Sequence, residues 1–174
     1  NFGQVLQAGI VISDDKLNIQ SRHELRCRLK STVIPSIGAC LVHKIPVNIL
    51  KNSNKSHYEM VLEHYNLIKD NTPSVVMGFN QVAFDIEFYR RMLYKSLIPD
   101  VYQTNTNGNR HLDILNVSRA AKFADNDSIQ TILNEKNRVS FKLSDLSTAN
   151  KINNGTSHDA ITDCLNSIDL AKII

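Results

Sequence analysis

The sequence predicts an α/β domain in which helices flank a mixed β-sheet, and three features point that way. An alternating stretch near the start reads as a hairpin, and a compact apolar run at 74–79 reads as a buried strand. The segments that follow carry apolar residues at helical spacing.

Residues 5–13, VLQAGIVIS, are a short run rich in β-formers, and the DDKLN after them has the composition of a turn. In SRHELRCRL the side chains alternate. His23, Leu25, Cys27 and Leu29 share one face, and Arg22, Glu24, Arg26 and Arg28 share the other. That period of two marks a half-buried strand, expected to pair antiparallel with the first. The arginine face reads as the solvated side of a strand, with a nucleic-acid face as the alternative. Pro35, Pro46 and the polar KNSNKS predict loop and short turns between 33 and 55.

In SHYEMVLEHYNLIK, Tyr58, Val61, Leu62, Tyr65 and Ile68 fall on one helix face, and Ser56 with Glu59 fits a capping box. SVVMGF suits a buried strand. From Asp85 the pattern turns helical, with Phe88, Tyr89, Met92 and Leu93 on one side and Pro99 closing the helix. TNTNGNR reads as a polar loop that leads into a helix near 113–123. A polar connector over 124–139, a short helix over FKLSDLSTAN and a terminal helix from about 159 to 174 complete the chain. No repeat or linker divides it, so residues 1–174 are expected to form a single domain. One buried strand beside a hairpin makes a poor sheet centre. A further central strand is therefore expected ahead of Asn1.

Composition narrows the function classes. Hydrophobic residues are 42% and charged residues 21% of 174 positions, ordinary for a globular protein. No apolar run approaches the roughly 20 residues that a bilayer span needs, so no membrane partner is expected. The three cysteines, Cys27, Cys40 and Cys164, are odd in number and too far apart for a metal knuckle or a disulfide framework, and no stretch reads as a signal peptide. Reduced thiols in a cytoplasmic protein are expected. The net charge of +3 mildly favours polyanionic partners.

Two places in the sequence can carry chemistry. In GFNQVAFDIEF, Asp85 opens a helix just after the buried strand, near the carboxyl end of the strand, where open α/β sheets place their sites. The structural alternative is a first-turn carboxylate complementing the helix dipole, worth about 0.3–1 kcal/mol. Glu87, two residues on, points to a different side of the helix and does not easily share a metal with Asp85. In SHDAITDC, a cap would be Ser157 or Asp159. Asp163 is then left one turn inside an apolar helix, where a carboxylate needs a partner or a metal. Asp113, in HLDILNVSRAAKF, could be a catalytic carboxylate, but it sits ahead of a core-facing stripe, reads as the cap of that helix and is left out of the site.

The segments GFNQVAFDIEFYRRMLY, HLDILNVSRAA, SFKLSDLSTANKI and SHDAITDCLNSIDLAKII, in that order, resemble the exonuclease domain of bacterial exonuclease I. That domain belongs to the DEDDh group of 3′–5′ exonucleases, which have a ribonuclease-H-like fold. VLQAGIVISDDKLNIQSRHELRCRL is similar to the second and third strands of that family, so the resemblance covers nearly the whole chain. It implies that Asp85 is the acidic residue of the second motif, Asp163 the last metal-binding aspartate and His158 the general base. It implies Lys142, Arg90, Tyr102 and Arg119 as substrate contacts.

The implied chemistry is phosphodiester hydrolysis with two Mg2+ ions about 3.5–4 Å apart, Mn2+ being the alternative. A histidine near its ordinary pKa can accept a proton around neutral pH. The implied substrate is single-stranded DNA with a free 3′ end, met by cations on phosphates and an aromatic ring under a base. The products are nucleoside 5′-monophosphates and the protein is a monomer. A relative preferring short RNA, or a catalytically inactive nucleic-acid-binding module, is the rival reading.

The sequence departs from the family at two points. The family's first motif, an Asp-x-Glu, would lie just before NFGQV and is not in these residues. His43-Lys44 stands where the family has Thr-Gly, so a loop expected near the 3′ end differs.

Overall fold

A computed structural model describes residues 3–43, 45–155 and 159–174. Strands β1 (Gln7–Ser13) and β2 (Ile19–Arg26) pair antiparallel from Gln7 opposite Arg26 to Ser13 opposite Ile19. The turn between them is built by Asp14. Its carboxylate accepts from the backbone N–H of Lys16 at 2.9 Å and of Asn18 at 2.8 Å, and Leu17 takes a positive φ of 61°. The alternation holds: Leu25, Cys27 and Leu29 are buried, while Arg22, Glu24, Arg26 and Arg28 are exposed. The solvent side is partly self-satisfied, because Arg26 pairs with Glu24 and Arg28 donates to the Ser53 carbonyl at 3.1 Å.

The 33–55 segment differs from expectation. It contains two short helices, α1 (Ile37–His43) and α2 (Val47–Lys51). The prolines misled because Pro35 precedes α1 and Pro46 is the N-cap of α2, positions where a missing N–H costs nothing. Helix α3 (His57–Asp70) carries the predicted capping box, Ser56 with Glu59. Its buried stripe is rotated from the predicted one. His57, Met60 and Val61 are buried and Tyr65, Leu67 and Ile68 pack beside the core, whereas Tyr58 and Leu62 face outward. Each residue turns the helix by about 100°, so a stripe centred one position away moves Tyr58 into water, where its hydroxyl is content.

The segment ahead of residue 113 also differs. Strand β3 (Val75–Gly78) has a parallel partner, β4 (Arg110–Asp113), where a loop was expected. Four residues, two of them Arg110 and Asp113, are too few and too polar to show a period of two. The register sets Val75 opposite Arg110 and Gly78 opposite Asp113, so both strands end side by side. Among the described residues the strands pair two by two, β1 with β2 and β3 with β4.

Helices α4 (Asp85–Lys95), α5 (Ile114–Ala124), α6 (Leu143–Ala149) and α7 (Ala160–Ile173) lie close to the predicted positions. Two apolar cores result. One joins Leu25 and Cys27 to Met60 and Val61 of α3 and Tyr89, Met92 and Leu93 of α4. The other joins Ile114, Ile129, Leu146 and Leu170, with Met77 and Phe79 against them. Each such side chain contributes about 1.5–3 kcal/mol when fully buried. The start of α7 presses on β1. A Cβ placed on Gly9 would lie 2.6 Å from the backbone C and O of Ala160, a contact only glycine permits. Among the described residues no helix is long and apolar enough to cross a membrane.

Candidate active site

The loop from β3 to α4 is held from two directions. Gln81, buried, donates its side-chain amide to the Val76 carbonyl at 2.7 Å and the Leu112 carbonyl at 3.1 Å, capping the ends of β3 and β4. Asp113 accepts from the backbone N–H of Asn80 at 2.9 Å and of Val82 at 3.3 Å. It also caps α5 as predicted, accepting from the Leu115 N–H at 3.1 Å. Asn80 adopts a positive φ of 57°, which asparagine tolerates better than most residues. Helix α4 then opens, and Asp85 is its first residue, with Phe84 as N-cap.

Asp163 is the fourth residue of α7, whose N-cap is Asp159, one of the two predicted caps. The Asp159 carboxylate accepts from the Thr162 N–H at 3.0 Å. The first turn of α7 therefore leaves Asp163 to other work. Asp85 and Asp163, 78 positions apart in sequence, lie near enough to feel each other's charge. Asp85 retains exposure as a residue, but protein crowds its carboxyl end. Desolvation first, and then repulsion from Asp113 and Asp163, raise its pKa above the ordinary 3.8. The Cys164 thiol is pushed up to about 12 by burial, with Asp163, Asp85 and Asp159 adding to the rise. Negative charge thus collects between the start of α4 and the first turn of α7.

Among the described residues no three His, Cys, Asp or Glu side chains group as a complete metal-binding set. Asp85 and Asp163 supply two carboxylates. Hard oxygen donors under mutual repulsion match a divalent cation such as Mg2+, which would relieve that repulsion. His158, with Ser157, lies outside the described residues.

Of the predicted substrate contacts, Arg90 and Tyr102 meet each other. The Arg90 guanidinium sits 4.8 Å from the centre of the Tyr102 ring, and Arg90 also reaches Asn105 Oδ1 and Glu87 Oε1, each at 3.4 Å. Tyr102 is 55% exposed. Arg119, exposed on α5, lies 5.8 Å from the Phe141 ring, beside the exposed Lys142 that precedes α6. Glu87 is engaged by Arg90 and by Arg91, at 3.8 Å, and not by the Asp85 cluster, as its position on the helix required. Read from sequence as a cap, Asp113 also holds the β3–α4 loop. Its bonds to Asn80 and Val82 follow from the register of β4, which only a structure reveals.

No protein-family model matches the chain. It is 28% identical over 169 residues to exodeoxyribonuclease I of Buchnera aphidicola subsp. Acyrthosiphon pisum, covering 97% of this chain and 41% of that protein. It is 32% identical over 99 residues to exodeoxyribonuclease I of Haemophilus influenzae, covering 57% of this chain and 21% of that protein. The crystal structure of E. coli exonuclease I in complex with a dA16 oligonucleotide matches with a TM-score of 0.89 and 25% identity, over 97% of this chain and 36% of that one. The chain is a homologue of exodeoxyribonuclease I. Its fold is accordingly ribonuclease-H-like, with small sheets and packed helices. It spans less than half the length of the exodeoxyribonuclease I proteins it matches.

Proposed function

We propose that residues 1–174 form a single, metal-dependent 3′–5′ exodeoxyribonuclease domain that acts on single-stranded DNA and releases nucleoside 5′-monophosphates. What supports this reading is the similarity to exodeoxyribonuclease I over 97% of the chain, with Asp163, from a distant part of the sequence, among the charges that raise the pKa of Asp85. The likeness to exonuclease I in complex with a dA16 oligonucleotide supports single-stranded DNA as the partner.

In this reading Asp85 and Asp163 hold Mg2+, or Mn2+ in its place. Bound divalent ions would stabilise the negative charge on the attacked phosphate and the leaving 3′ oxygen. The chain's own residues do the rest. His158 accepts the proton of the attacking water. Arg90 and Tyr102 engage the strand as a cation beside a stacking surface, and Lys142 and Arg119 neutralise phosphates. The protein acts as a monomer in the cytoplasm, where the free thiols of Cys27, Cys40 and Cys164 stay reduced.

The test is digestion of 3′-ended single-stranded DNA in Mg2+ by the purified protein with the family's opening Asp-x-Glu restored ahead of NFGQV, with a matched RNA oligomer in parallel. Mononucleotide release from DNA that Asp163→Ala abolishes is the expected result. Cleavage persisting in Asp163→Ala removes that residue from the site. Faster digestion of RNA reassigns the substrate, and tight DNA binding without cleavage marks a binding module.

A further inference from the structure

Of the two buried side chains that hold the loop delivering Asp85, Asp113 reaches it from β4 and lies outside the proposed metal pair. Asp113 ends β4 opposite Gly78 and is 9% exposed. A helix cap needs only its bond to the Leu115 N–H. The bonds from Asn80 to Oδ1 and from Val82 to Oδ2 serve the β3–α4 loop instead. Both oxygens thus face backbone donors, and an ionised acceptor makes stronger bonds than a neutral one. Val82 lies three residues before Asp85. The constraint passes into α4 because the Ile86 N–H donates to the Gln81 carbonyl at 2.9 Å and the Phe84 N–H to the same oxygen at 3.2 Å.

We propose that Asp113 is a positioning residue: by strapping Asn80 and Val82 it fixes the loop so that the Asp85 carboxyl faces Asp163. The metal arm of this inference rests on the proposed function; the strap itself does not. Groups that orient metal ligands typically cost about 10–100-fold in metal affinity when replaced.

Asp113→Ser separates the two duties. Serine caps a helix about as well as aspartate, but one hydroxyl on a shorter side chain cannot serve both Asn80 and Val82. Asp113→Asn keeps one acceptor oxygen and turns an NH2 toward the Val82 N–H. Hydrogen exchange at the Asn80 and Val82 amides is expected to accelerate by about tenfold or more in Asp113→Ser, with α5 and α7 amides unchanged. Mn2+ binding, measured by calorimetry, is expected to weaken by about 10–100-fold in Asp113→Ser and by less in Asp113→Asn. Unchanged exchange at Asn80 and Val82 overturns the strap. Faster exchange with unaltered Mn2+ affinity overturns the positioning role. If the parent chain binds no Mn2+, the proposed function fails instead. The Asp85 carboxyl 13C resonance then decides, compared between Asp113→Ser and Asp113→Asn, which remove the same charge: a difference between the two upholds positioning, and coincidence refutes it.

Discussion

Replacing Gly9 with alanine tests how the helix that carries Asp163 is seated on β1. The new Cβ would sit 2.6 Å from both the C and the O of Ala160 and 3.0 Å from its Cβ. Carbon atoms rest about 3.5–4.0 Å apart, so β1 and the start of α7 must separate by roughly 1 Å. The obstacle is main chain and cannot swing aside as a flexible side chain would. Overpacking costs about 1–3 kcal/mol, and the upper end applies here. For a chain of 174 residues, about 3 kcal/mol lowers the melting midpoint by about 6–12 °C. The same movement displaces Asp163, and a misplacement of about 1 Å costs about 100-fold in rate. Gly38→Ala is the control, because its Cβ would meet only Ser36 Oγ at an ordinary 3.8 Å. Melting by scanning fluorimetry and nucleotide release from single-stranded DNA are read on both variants. A Gly9→Ala protein that melts with the parent refutes the claim that α7 is seated against β1 at this point.

Asp85→Asn removes a carboxylate whose pKa is raised by burial and by Asp113 and Asp163. A raised carboxyl pKa means the folded state binds its proton more tightly than the unfolded state does, so the ionised group disfavours folding above that pKa. The asparagine variant should therefore melt above the parent at neutral pH while losing nuclease activity, and the difference should close as pH falls and the parent's carboxyl protonates. A variant that melts below the parent at neutral pH contradicts this. His64 presents the opposite sign. Its buried Nδ1 has no partner, its ring lies 4.4 Å from that of Tyr89, and desolvation holds its pKa down at about 4. The stability it permits is present above pH 6.5 and drains away between there and about 4, a loss on the order of 3 kcal/mol. Urea melts of His64→Phe should show a flatter pH dependence in that window, and an unchanged slope assigns the acid sensitivity elsewhere. Lys142→Ala should weaken single-stranded DNA binding and reduce the slope of log K against log salt by about 0.7, the share of one phosphate contact. Fluorescence anisotropy across a salt series measures it, and an unaltered slope removes Lys142 from the interface.

The hairpin and the long helices were legible because burial there follows a simple period, as the alternation from Arg22 to Leu29 shows. The terminal helix could also be read as needing a cap, and Asp159 supplies it. What escaped was set by tertiary context. Strand β4 is four residues long and exists because β3 offers an edge, and the buried stripe of α3 is fixed by what Met60 and Val61 touch. At the site, Asp85 and Asp163 were visible as carboxylates in unusual helical positions, with the family resemblance adding their roles. Asp113 looked like a cap and is one, yet its reach across to Asn80 and Val82 depends on strand register, which leaves no trace in local composition.

Asp85 begins a helix anchored in one apolar cluster, and Asp163 belongs to a helix anchored in the other. Neither cluster alone can assemble the pair. During synthesis at about 5–20 residues per second, roughly 4–16 s separate the emergence of the two aspartates, and the last helix must still dock afterwards. Until it does, the nascent polypeptide carries one carboxylate of the proposed pair without the other in place.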